Sequence, residues 1–413
     1  MMDGAVKFIV PADKRECSYI GFDLQTDSAQ FVFPCKYIED TAADDVKKTE
    51  ARKILSLIKK VQQEYFFGGD GSQTLQFFAM TWLVRDFVDN GYYTEREDII
   101  KKGGKGAIDW KRTIKNNAIY IDNGNIIYRE IFTHKSMLND GGTLAQIYKC
   151  CLEYSVRHIG FLYNVTRTER SVFDITSPAT VNYMARFVQS QLNQTFNSYK
   201  KVLLNHLLTI LKGLQGRMKS ISLSMRDSEF EYVFEFLINA VFGTGDVRNY
   251  YNEYTYHLVG ERPYTASKLR PDTIMQNTGG KPDYFVIDAK YYNYGYTQRH
   301  GDLPQASSIS KQIGYNAYLK KNDGEQHRDF YSVFMLPYAK GSDGATIKYI
   351  GYATNRRDGA DDGKKISADR IAVCLIDLRT LTDAYFGEGV SGQQLKRELI
   401  DAVLRPALDT DNR

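Results

Sequence analysis

Two aspartates and a lysine in this sequence have the types and spacing to bind a divalent metal ion. Asp288 and Lys290 lie two positions apart in an apolar segment, so on an extended strand their side chains share one face. Asp272 precedes another apolar run, and the turn residues 277–280 between the runs predict a β-hairpin. With the turn centred near residue 280, Asp272 falls opposite Asp288. Carboxylate oxygens are hard ligands that suit Mg²⁺, so this end of the hairpin is the candidate metal site.

A second Pro-Asp pair competes with Pro271-Asp272 for the role of first carboxylate. Asp283, in Pro282-Asp283, lies on the same predicted strand as Asp288 and close before it. On one extended strand their separation is about 16 Å at ~3.3 Å per residue, which is too long for a shared metal ion and favours Asp272. The alternative without a site is a surface hairpin whose Asp and Lys are only solvated. The apolar strand that leads to Asp288 argues against that alternative.

A helix predicted over 228–242, just before the hairpin, carries Glu235 among apolar residues. Burying a carboxylate without a partner is costly, so we expect a metal ion or Lys290 beside it. Glu231, one turn earlier on the same face, is the second candidate. The alternative is a glutamate on the solvent side of the helix.

The segment 101–116, KKGGKGAIDWKRTIKN, combines glycines and basic residues around one tryptophan. We predict a loop whose concentrated positive charge follows a phosphate backbone. An equally weighted alternative is a solvated loop with Trp110 in the core. The basic residues are Lys101, Lys102, Lys105, Lys111, Arg112 and Lys115.

Composition restricts the class of protein without identifying it. The net charge of +4, 43% hydrophobic and 25% charged residues are ordinary for a globular protein, so nucleic-acid binding would depend on a local basic surface. The five cysteines lack a Cys-x-x-Cys spacing, which argues against a zinc site or a disulfide scaffold. There is no signal-peptide layout and no run of about 20 apolar residues. We therefore expect a cytoplasmic protein without a membrane span.

Periodicity predicts the elements that must position these residues. Helices are expected over 40–63, 74–90, 143–163, 178–214, 228–242, 303–319 and 392–404. Strands are expected over 6–10, 30–34, 331–336, 347–352 and 371–378, with a second hairpin over 119–128 around Asn123-Gly124. Residues 355–365 are predicted to form a polar loop. Helix, hairpin, helix and strands indicate an α/β layout with a mixed central sheet.

The hairpin pattern resembles the PD-(D/E)xK nuclease superfamily, with Pro271-Asp272 followed by Asp288-Ala289-Lys290. The resemblance implies that Asp272, Asp288 and the carbonyl of Ala289 hold one or two metal ions, and that Lys290 orients or deprotonates the attacking water. It also implies that a carboxylate from the preceding helix contributes to the site, and Glu235 is the candidate for that carboxylate.

The helix that follows such a hairpin commonly packs across the sheet and can face the scissile phosphate. The resemblance to these nucleases therefore implies that Gln312 holds the water or the phosphate. Lys311 would contact the DNA backbone, with ordinary solvation as the equal alternative.

Three segments together resemble the LlaJI-type restriction endonuclease family and, more distantly, nuclease subunits of the McrC type. They are GAIDWKRTIKN at 106–116, LRPDTIM with VIDAKYY in the hairpin, and LPQASSISKQIGYNAYL at 303–319. The resemblance implies a type II-like endonuclease that hydrolyses double-stranded DNA in host defence, with Mg²⁺ as cofactor and Mn²⁺ as a substitute. It implies a PD-(D/E)xK nuclease domain over 221–413, an α+β DNA-recognition domain over 1–140, for which a winged-helix-like arrangement is one candidate, and a helical bridge over 141–220.

Two other functions stay open at this stage. The chain lacks a Gly-x-x-x-x-Gly-Lys-Ser/Thr phosphate loop. An NTP-dependent, McrBC-like system would therefore need a separate AAA+ NTPase subunit, without which the nuclease is inactive. The third candidate is a non-catalytic DNA-binding scaffold with a nuclease fold. A homodimer is compatible with all three.

Overall fold

The structure is a computed structural model that describes most of the chain. The described residues are 6–25, 28–65, 72–103, 105–117, 119–123, 125–139, 141–215, 221–244, 255–265, 270–277, 284–322, 329–341, 344–354 and 370–404. The residues predicted to form the hairpin turn, 278–283 with Pro282-Asp283, and the predicted polar loop at 355–365 lie outside them.

Groups of helices and groups of strands follow one another along the chain. The helices are α1 (Asp44–Tyr65), α2 (Ser72–Asn90), α3 (Trp110–Asn116), α4 (Thr143–Ile159), α5 (Pro178–Gln194), α6 (Ser198–Gln215), α7 (Phe230–Phe242), α8 (Tyr294–Thr297), α9 (Ala306–Asn322), α10 (Leu378–Tyr385) and α11 (Gly392–Leu404). The strands are β1 (Lys7–Ile9), β2 (Tyr19–Gln25), β3 (Ser28–Val32), β4 (Glu95–Lys102), β5 (Ala107–Ile108), β6 (Ile119–Asp122), β7 (Asn125–Tyr128), β8 (Phe132–Asn139), β9 (Ile221–Arg226), β10 (Thr255–Tyr256), β11 (Tyr264–Thr265), β12 (Thr273–Gln276), β13 (Tyr284–Ala289), β14 (Phe330–Tyr338), β15 (Ile347–Ala353) and β16 (Ile371–Asp377).

The described residues divide into two compact units. The helical unit comprises the described parts of 24–28 and 70–222, and the sheet unit comprises those of 6–23, 29–69 and 223–413. This division differs from the three consecutive segments predicted from the sequence. The N-terminal strands and α1 belong to the same unit as the hairpin, and the predicted helical bridge belongs to the same unit as the basic segment.

A five-stranded mixed sheet forms the centre of the sheet unit. Its strand order is β12-β13-β14-β16-β15. The two outer pairs, β12 with β13 and β15 with β16, are antiparallel. The inner pairs, β13 with β14 and β14 with β16, are parallel. The α/β fold class with a mixed sheet is therefore confirmed.

Helix α9 packs its apolar side chains against this sheet. Tyr315 and Leu319 contact Ile274 and Val286 in one buried cluster, and Ile313 packs on a second cluster that includes Phe334. Helix α7 packs against β12 and β13, and also against α1. The sheet unit also contains a four-stranded sheet of order β1-β3-β2-β9. The candidate metal site therefore lies at the end of a strand, β13, that is buried throughout its length.

The helical unit has a core of packed helices and a small antiparallel sheet. Helix α6 packs against α2, α4 and α5, and the sheet has the order β4-β8-β5. The predicted hairpin over 119–128 is confirmed as β6 and β7, with Asn123 in the left-handed conformation at φ 49°. In the described part of the chain, no helix combines the length and the apolar character needed to cross a bilayer.

Two predictions about the helical unit are wrong. The sequence predicts a single helix over 178–214, but the structure has two helices there, α5 and α6. The side-chain oxygen of Asn197 accepts a hydrogen bond from the Lys200 N–H at 2.9 Å and so caps the start of α6. Helices α5 and α6 each bury an apolar face and pack against each other, whereas Phe196 at the break is 93% exposed. The loop expected over 101–116 contains β5 and a short helix, α3, whose N-cap is Asp109.

Candidate active site

The hairpin register brings Asp272 and Asp288 together. Thr273 pairs with Ile287 and Ile274 with Val286, so Asp272, one residue before β12, lies opposite Asp288. The Ala289 N–H donates a hydrogen bond to Oδ2 of Asp272 at 3.2 Å. The predicted opposition of the two carboxylates is therefore confirmed.

Asp288 and Lys290 form an ion pair at the end of β13. Their closest atoms, Oδ2 of Asp288 and Nζ of Lys290, are 2.7 Å apart, and the two side chains are 2% and 16% exposed. Despite that contact, neither Asp288 oxygen accepts a hydrogen bond of good geometry from the described residues. Buried carboxylate oxygens rarely lack such partners, so Asp288, whose Oδ2 contacts the Lys290 ammonium, is a candidate ligand for a further cation through Oδ1.

The electrostatics of the site reflect three acids and one nearby lysine. Burial and the charges of Asp288 and Glu235 raise the pKa of Asp272 to about 8. Burial also raises the pKa of Glu235, against the opposing effect of Lys290. For Lys290, burial acts to lower the pKa, but Asp288 and Asp272 outweigh it, so the pKa is raised. The lysine therefore keeps its proton, and the raised pKa of Asp272 favours the neutral, protonated form of that acid below about pH 8.

The donor set fits a hard divalent cation that keeps part of its hydration. Within the described ranges, no group of three or more His, Cys, Asp and Glu side chains is arranged to hold a metal ion. Asp272 and Asp288 therefore supply two carboxylates. Mg²⁺ is commonly bound by one or two carboxylates together with waters and substrate phosphates. The carbonyl of Ala289 as a further ligand stays a prediction; its N–H is the group that contacts Asp272.

Helix α7 places Glu235 near the charged residues at the end of the hairpin. Its side chain is half-buried, and its pKa responds to Lys290, Asp288 and Lys311. Glu231, the second candidate, is exposed and also acts on Glu235. The helix keeps this orientation because Phe230 and Phe234 are fully buried on its other side.

Helix α9 holds the hairpin through polar side chains. Gln312 is 1% exposed, and its Nε2 donates to the carbonyl of Val286 at 2.6 Å. Its amide nitrogen is thus occupied by β13, while Oε1 has no hydrogen-bond partner among the described residues. A role of Gln312 toward water or phosphate stays a prediction. Lys311 is exposed, its Nζ lies 5.5 Å from the centroid of the Tyr315 ring, and its charge acts on Glu235 and Lys290.

Sequence reasoning missed the part played by Tyr315. Its hydroxyl donates to the carbonyl of Arg270 at 2.6 Å and so fixes the backbone just before Asp272. Tyr315 lies in the helix predicted over 303–319, but helical periodicity carries no information about where a hydroxyl points. Asn316 was also missed; its Nδ2 donates to Phe330 O and Ser332 Oγ.

The basic segment of the helical unit is exposed. Trp110 is 54% exposed, so the alternative that placed it in the core is wrong. Its ring lies 6.2 Å from that of Tyr128 in an edge arrangement. The predicted DNA-contacting cations of this unit are all exposed: Lys105, Lys111, Arg112 and Lys115. DNA binding by this surface stays a prediction.

Comparison with known proteins gives the class of this protein. The model of the LlaJI restriction endonuclease family matches residues 19–352, and the chain belongs to that family. It is similar to the type II restriction enzyme BsuMI component YdjA of Bacillus subtilis (strain 168), with 23% identity over 359 residues that cover 81% of this chain and 74% of that protein. Family and relative support a nuclease role in restriction-modification.

The first prediction concerns the stability of the metal-free protein. Because the pKa of Asp272 is raised from 3.8 to about 8, the folded protein binds a proton that the unfolded chain releases. Stability should therefore fall as pH rises between these values. We expect Asp272→Asn to increase the free energy of unfolding above pH 8 by about 1–3 kcal/mol and to lose this advantage near pH 4, as measured by denaturant unfolding in EDTA.

A matched control for this prediction is Asp86→Asn. Asp86 is also a buried aspartate, but its Oδ2 accepts a hydrogen bond from the Tyr199 hydroxyl at 2.9 Å. Losing a hydrogen bond to a charged group should destabilise the protein. Equal destabilisation by both substitutions would contradict the carboxylate repulsion at Asp272.

The second prediction concerns the basic surface. Lys111 and Lys115 lie four residues apart on α3 and so share one face. We expect the double variant Lys111→Glu, Lys115→Glu to weaken DNA binding and to reduce the slope of log K against log salt by about 2, because two phosphate contacts are lost. Lys201→Glu with Lys212→Glu makes the same charge change at exposed positions of α6. An equal loss of DNA affinity in this control would show that the net charge of the protein, and not the position of the lysines on α3, determines binding. The measurement is fluorescence anisotropy with labelled duplex DNA.

Proposed function

We propose that this protein is a Mg²⁺-dependent endonuclease that hydrolyses phosphodiester bonds in double-stranded DNA during restriction of foreign DNA. The observation that carries the proposal is the pairing of the half-buried Asp272 with the buried Asp288 beside Lys290, on a chain that belongs to a restriction endonuclease family. A PD-(D/E)xK core is supported by the antiparallel hairpin that continues into the parallel strands β13, β14 and β16.

Asp272 and Asp288 would hold the metal ion with their carboxylate oxygens. A bound Mg²⁺ would polarise the scissile phosphate and lower the pKa of a water molecule. Burial and the neighbouring carboxylates raise the pKa of Asp272, so the metal-free protein would hold a proton there that a bound cation would displace. Removal of Mg²⁺ by EDTA should therefore leave a folded, inactive protein.

Lys290 would act as a fixed cation. Its raised pKa keeps the ammonium charged, so it donates hydrogen bonds and does not serve as the base. We assign it to orienting the attacking water and to stabilising the negative charge that develops on the phosphate oxygens. Glu235 would accept a hydrogen bond from that water, and Lys311 would contact a neighbouring phosphate.

The helical unit is our candidate for DNA recognition. Exposed Lys111, Arg112 and Lys115 offer phosphate contacts from α3, and Trp110 offers an exposed aromatic face. Phosphate contacts position a protein on DNA, whereas base-edge contacts select a sequence. The basic surface therefore accounts for affinity, and the recognised sequence would depend on groups that reach the bases from this unit.

A second candidate function is favoured by one comparison. The relative from Bacillus subtilis is named a component of a restriction enzyme, so that enzyme has more than one part. By this analogy the chain would be a nuclease subunit that cuts only with a partner, such as a separate AAA+ NTPase. The active-site chemistry would be the same, and the partner would control access to DNA.

The third prediction tests the catalytic assignments. Asp288→Asn and Lys290→Met should each lower the single-turnover rate of plasmid cleavage in Mg²⁺ by at least about 10²–10³, because the first removes a carboxylate that would hold the metal ion and the second removes a cation that would stabilise the reacting phosphate. DNA affinity should change by less than about threefold, since that rests on many phosphate contacts.

Lys149→Met is the matched control for Lys290→Met. Lys149 is also a buried lysine with a carboxylate partner, Glu169 at 2.7 Å, but it lies in the helical unit. The substitution Lys149→Met should lower the free energy of unfolding without lowering the cleavage rate per folded molecule. Undiminished cleavage by pure Asp288→Asn protein would refute the assignment.

The fourth prediction separates the two candidate functions. A self-sufficient enzyme should convert supercoiled plasmid to discrete fragments with Mg²⁺ alone. A partner-dependent subunit should be inert alone and cut after addition of the neighbouring gene products and an NTP. In the second case, a non-hydrolysable NTP should block cleavage. Methylated and unmethylated plasmids should be tested in parallel, because protection by methylation is what distinguishes restriction from unspecific digestion.

A further inference from the structure

A buried lysine from the N-terminal part of the chain contacts the backbone just after Lys290. Lys14 lies in the short 3₁₀ turn Lys14–Glu16 between β1 and β2. Its Nζ donates a hydrogen bond to the carbonyl of Tyr291 at 2.7 Å and lies 3.6 Å from the centroid of the Tyr291 ring. The side chain is only 13% exposed. One ammonium thus contacts both the backbone and the ring of the residue that follows Lys290.

Asp227 completes this arrangement from the start of α7. Its Oδ2 lies 3.5 Å from Nζ of Lys14, and its side chain is also 13% exposed. Burial lowers the pKa of Lys14 and raises that of Asp227. The desolvation of such a pair offsets much of its attraction. Stability alone is therefore a weak reason for placing two charges here.

Tyr291 joins the two elements that carry active-site residues. Its ring lies 5.3 Å from that of Phe230 and 5.9 Å from that of Phe234, both on the helix that carries Glu235. Its backbone is continuous with Lys290, whose N–H donates to the carbonyl of Met335 at 2.8 Å. A shift of Tyr291 would therefore move Lys290 and Glu235 relative to each other.

We propose that Lys14 is a positioning residue for cleavage. It holds the Tyr291 carbonyl and ring, and through them it fixes Lys290 against Asp288 and α7 against the hairpin. Lys14 itself contacts no substrate in this proposal. The proposal rests on the proposed nuclease function, and it assigns the N-terminal segment to the catalytic unit instead of to DNA recognition. Displacement of a catalytic group by about 1 Å can cost about 10²-fold in rate.

The fifth prediction tests this role with two substitutions. Lys14→Met keeps the apolar stem and removes the charge and the hydrogen bond, whereas Lys14→Arg keeps a cation with a different, planar donor geometry. We expect Lys14→Met to lower the single-turnover cleavage rate at saturating DNA by about 10–100-fold and to leave the DNA dissociation constant unchanged. Lys14→Arg should recover part of the rate because it restores a donor to the Tyr291 carbonyl.

Lys53→Met is the matched control. Lys53 is 8% exposed and lies in the same unit, where its Nζ contacts Asp383 at 2.5 Å and Glu388 at 2.6 Å. Lys53→Met also removes a carboxylate-paired ammonium, but the partners of Lys53 lie on α1 (Glu50, 3.4 Å) and on and just after α10. Both Met variants should unfold at lower temperature. Only Lys14→Met should slow cleavage by the folded protein.

Hydrogen exchange provides a readout that needs no cleavage. In Lys14→Met, amides of the Lys290–Tyr292 segment should exchange faster than in the wild type, and in Lys53→Met they should not. Normal cleavage and normal exchange in Lys14→Met would overturn the positioning role while leaving the nuclease function intact. If the wild type fails to cleave under every condition, the nuclease function fails. Exchange still decides whether Lys14 orders this segment.

Discussion

The repulsion between the carboxylates of the half-buried Asp272 and the buried Asp288 is the constraint on which the candidate site depends. Asp272 and Asp288 lie opposite each other at the end of one hairpin, and the pKa of Asp272 is raised to about 8 by burial and by the neighbouring acids. Lys290 offsets part of this charge from 2.7 Å. An arrangement that destabilises the metal-free fold is expected where function requires it. The hairpin is thus a site prepared for a cation.

The surrounding elements hold this arrangement from several directions. Tyr315 on α9 donates to the carbonyl of Arg270, two residues before Asp272, and Gln312 on α9 donates to the carbonyl of Val286 on β13. Tyr291 packs on α7, and Lys14 reaches it from the N-terminal segment. The separations along the chain range from 26 positions for Gln312 and Val286 to 277 positions for Lys14 and Tyr291. Without such support, loops and strand ends could not keep catalytic groups within the small tolerances that catalysis needs.

Much of the hairpin could be predicted from the sequence, because a strand alternates faces and a short turn fixes the register. Asp272 opposite Asp288 follows from these two rules. Glu235 was identifiable because a carboxylate in an apolar helix needs a partner. Lys14 was not, because its contact with Tyr291 spans 277 positions and no local pattern encodes it. The break before α6 was missed because apolar residues recur at helical spacing across it in the sequence, although Asn197 is a recognisable N-cap residue. The exposure of Trp110 shows the same limit, because an aromatic residue in a basic segment is compatible with either environment.

The most direct test of the site is a Mn²⁺ titration followed by electron paramagnetic resonance, with wild-type protein and Asp288→Asn compared at the same pH. Mn²⁺ accepts the same oxygen ligands as Mg²⁺, and the measurement requires no knowledge of the recognised DNA sequence. We expect the wild type to bind Mn²⁺, with competition by Mg²⁺, and Asp288→Asn to lose that binding while remaining folded. Undiminished Mn²⁺ binding by Asp288→Asn would contradict a metal centre at this hairpin, as would a wild-type protein that binds none with DNA present.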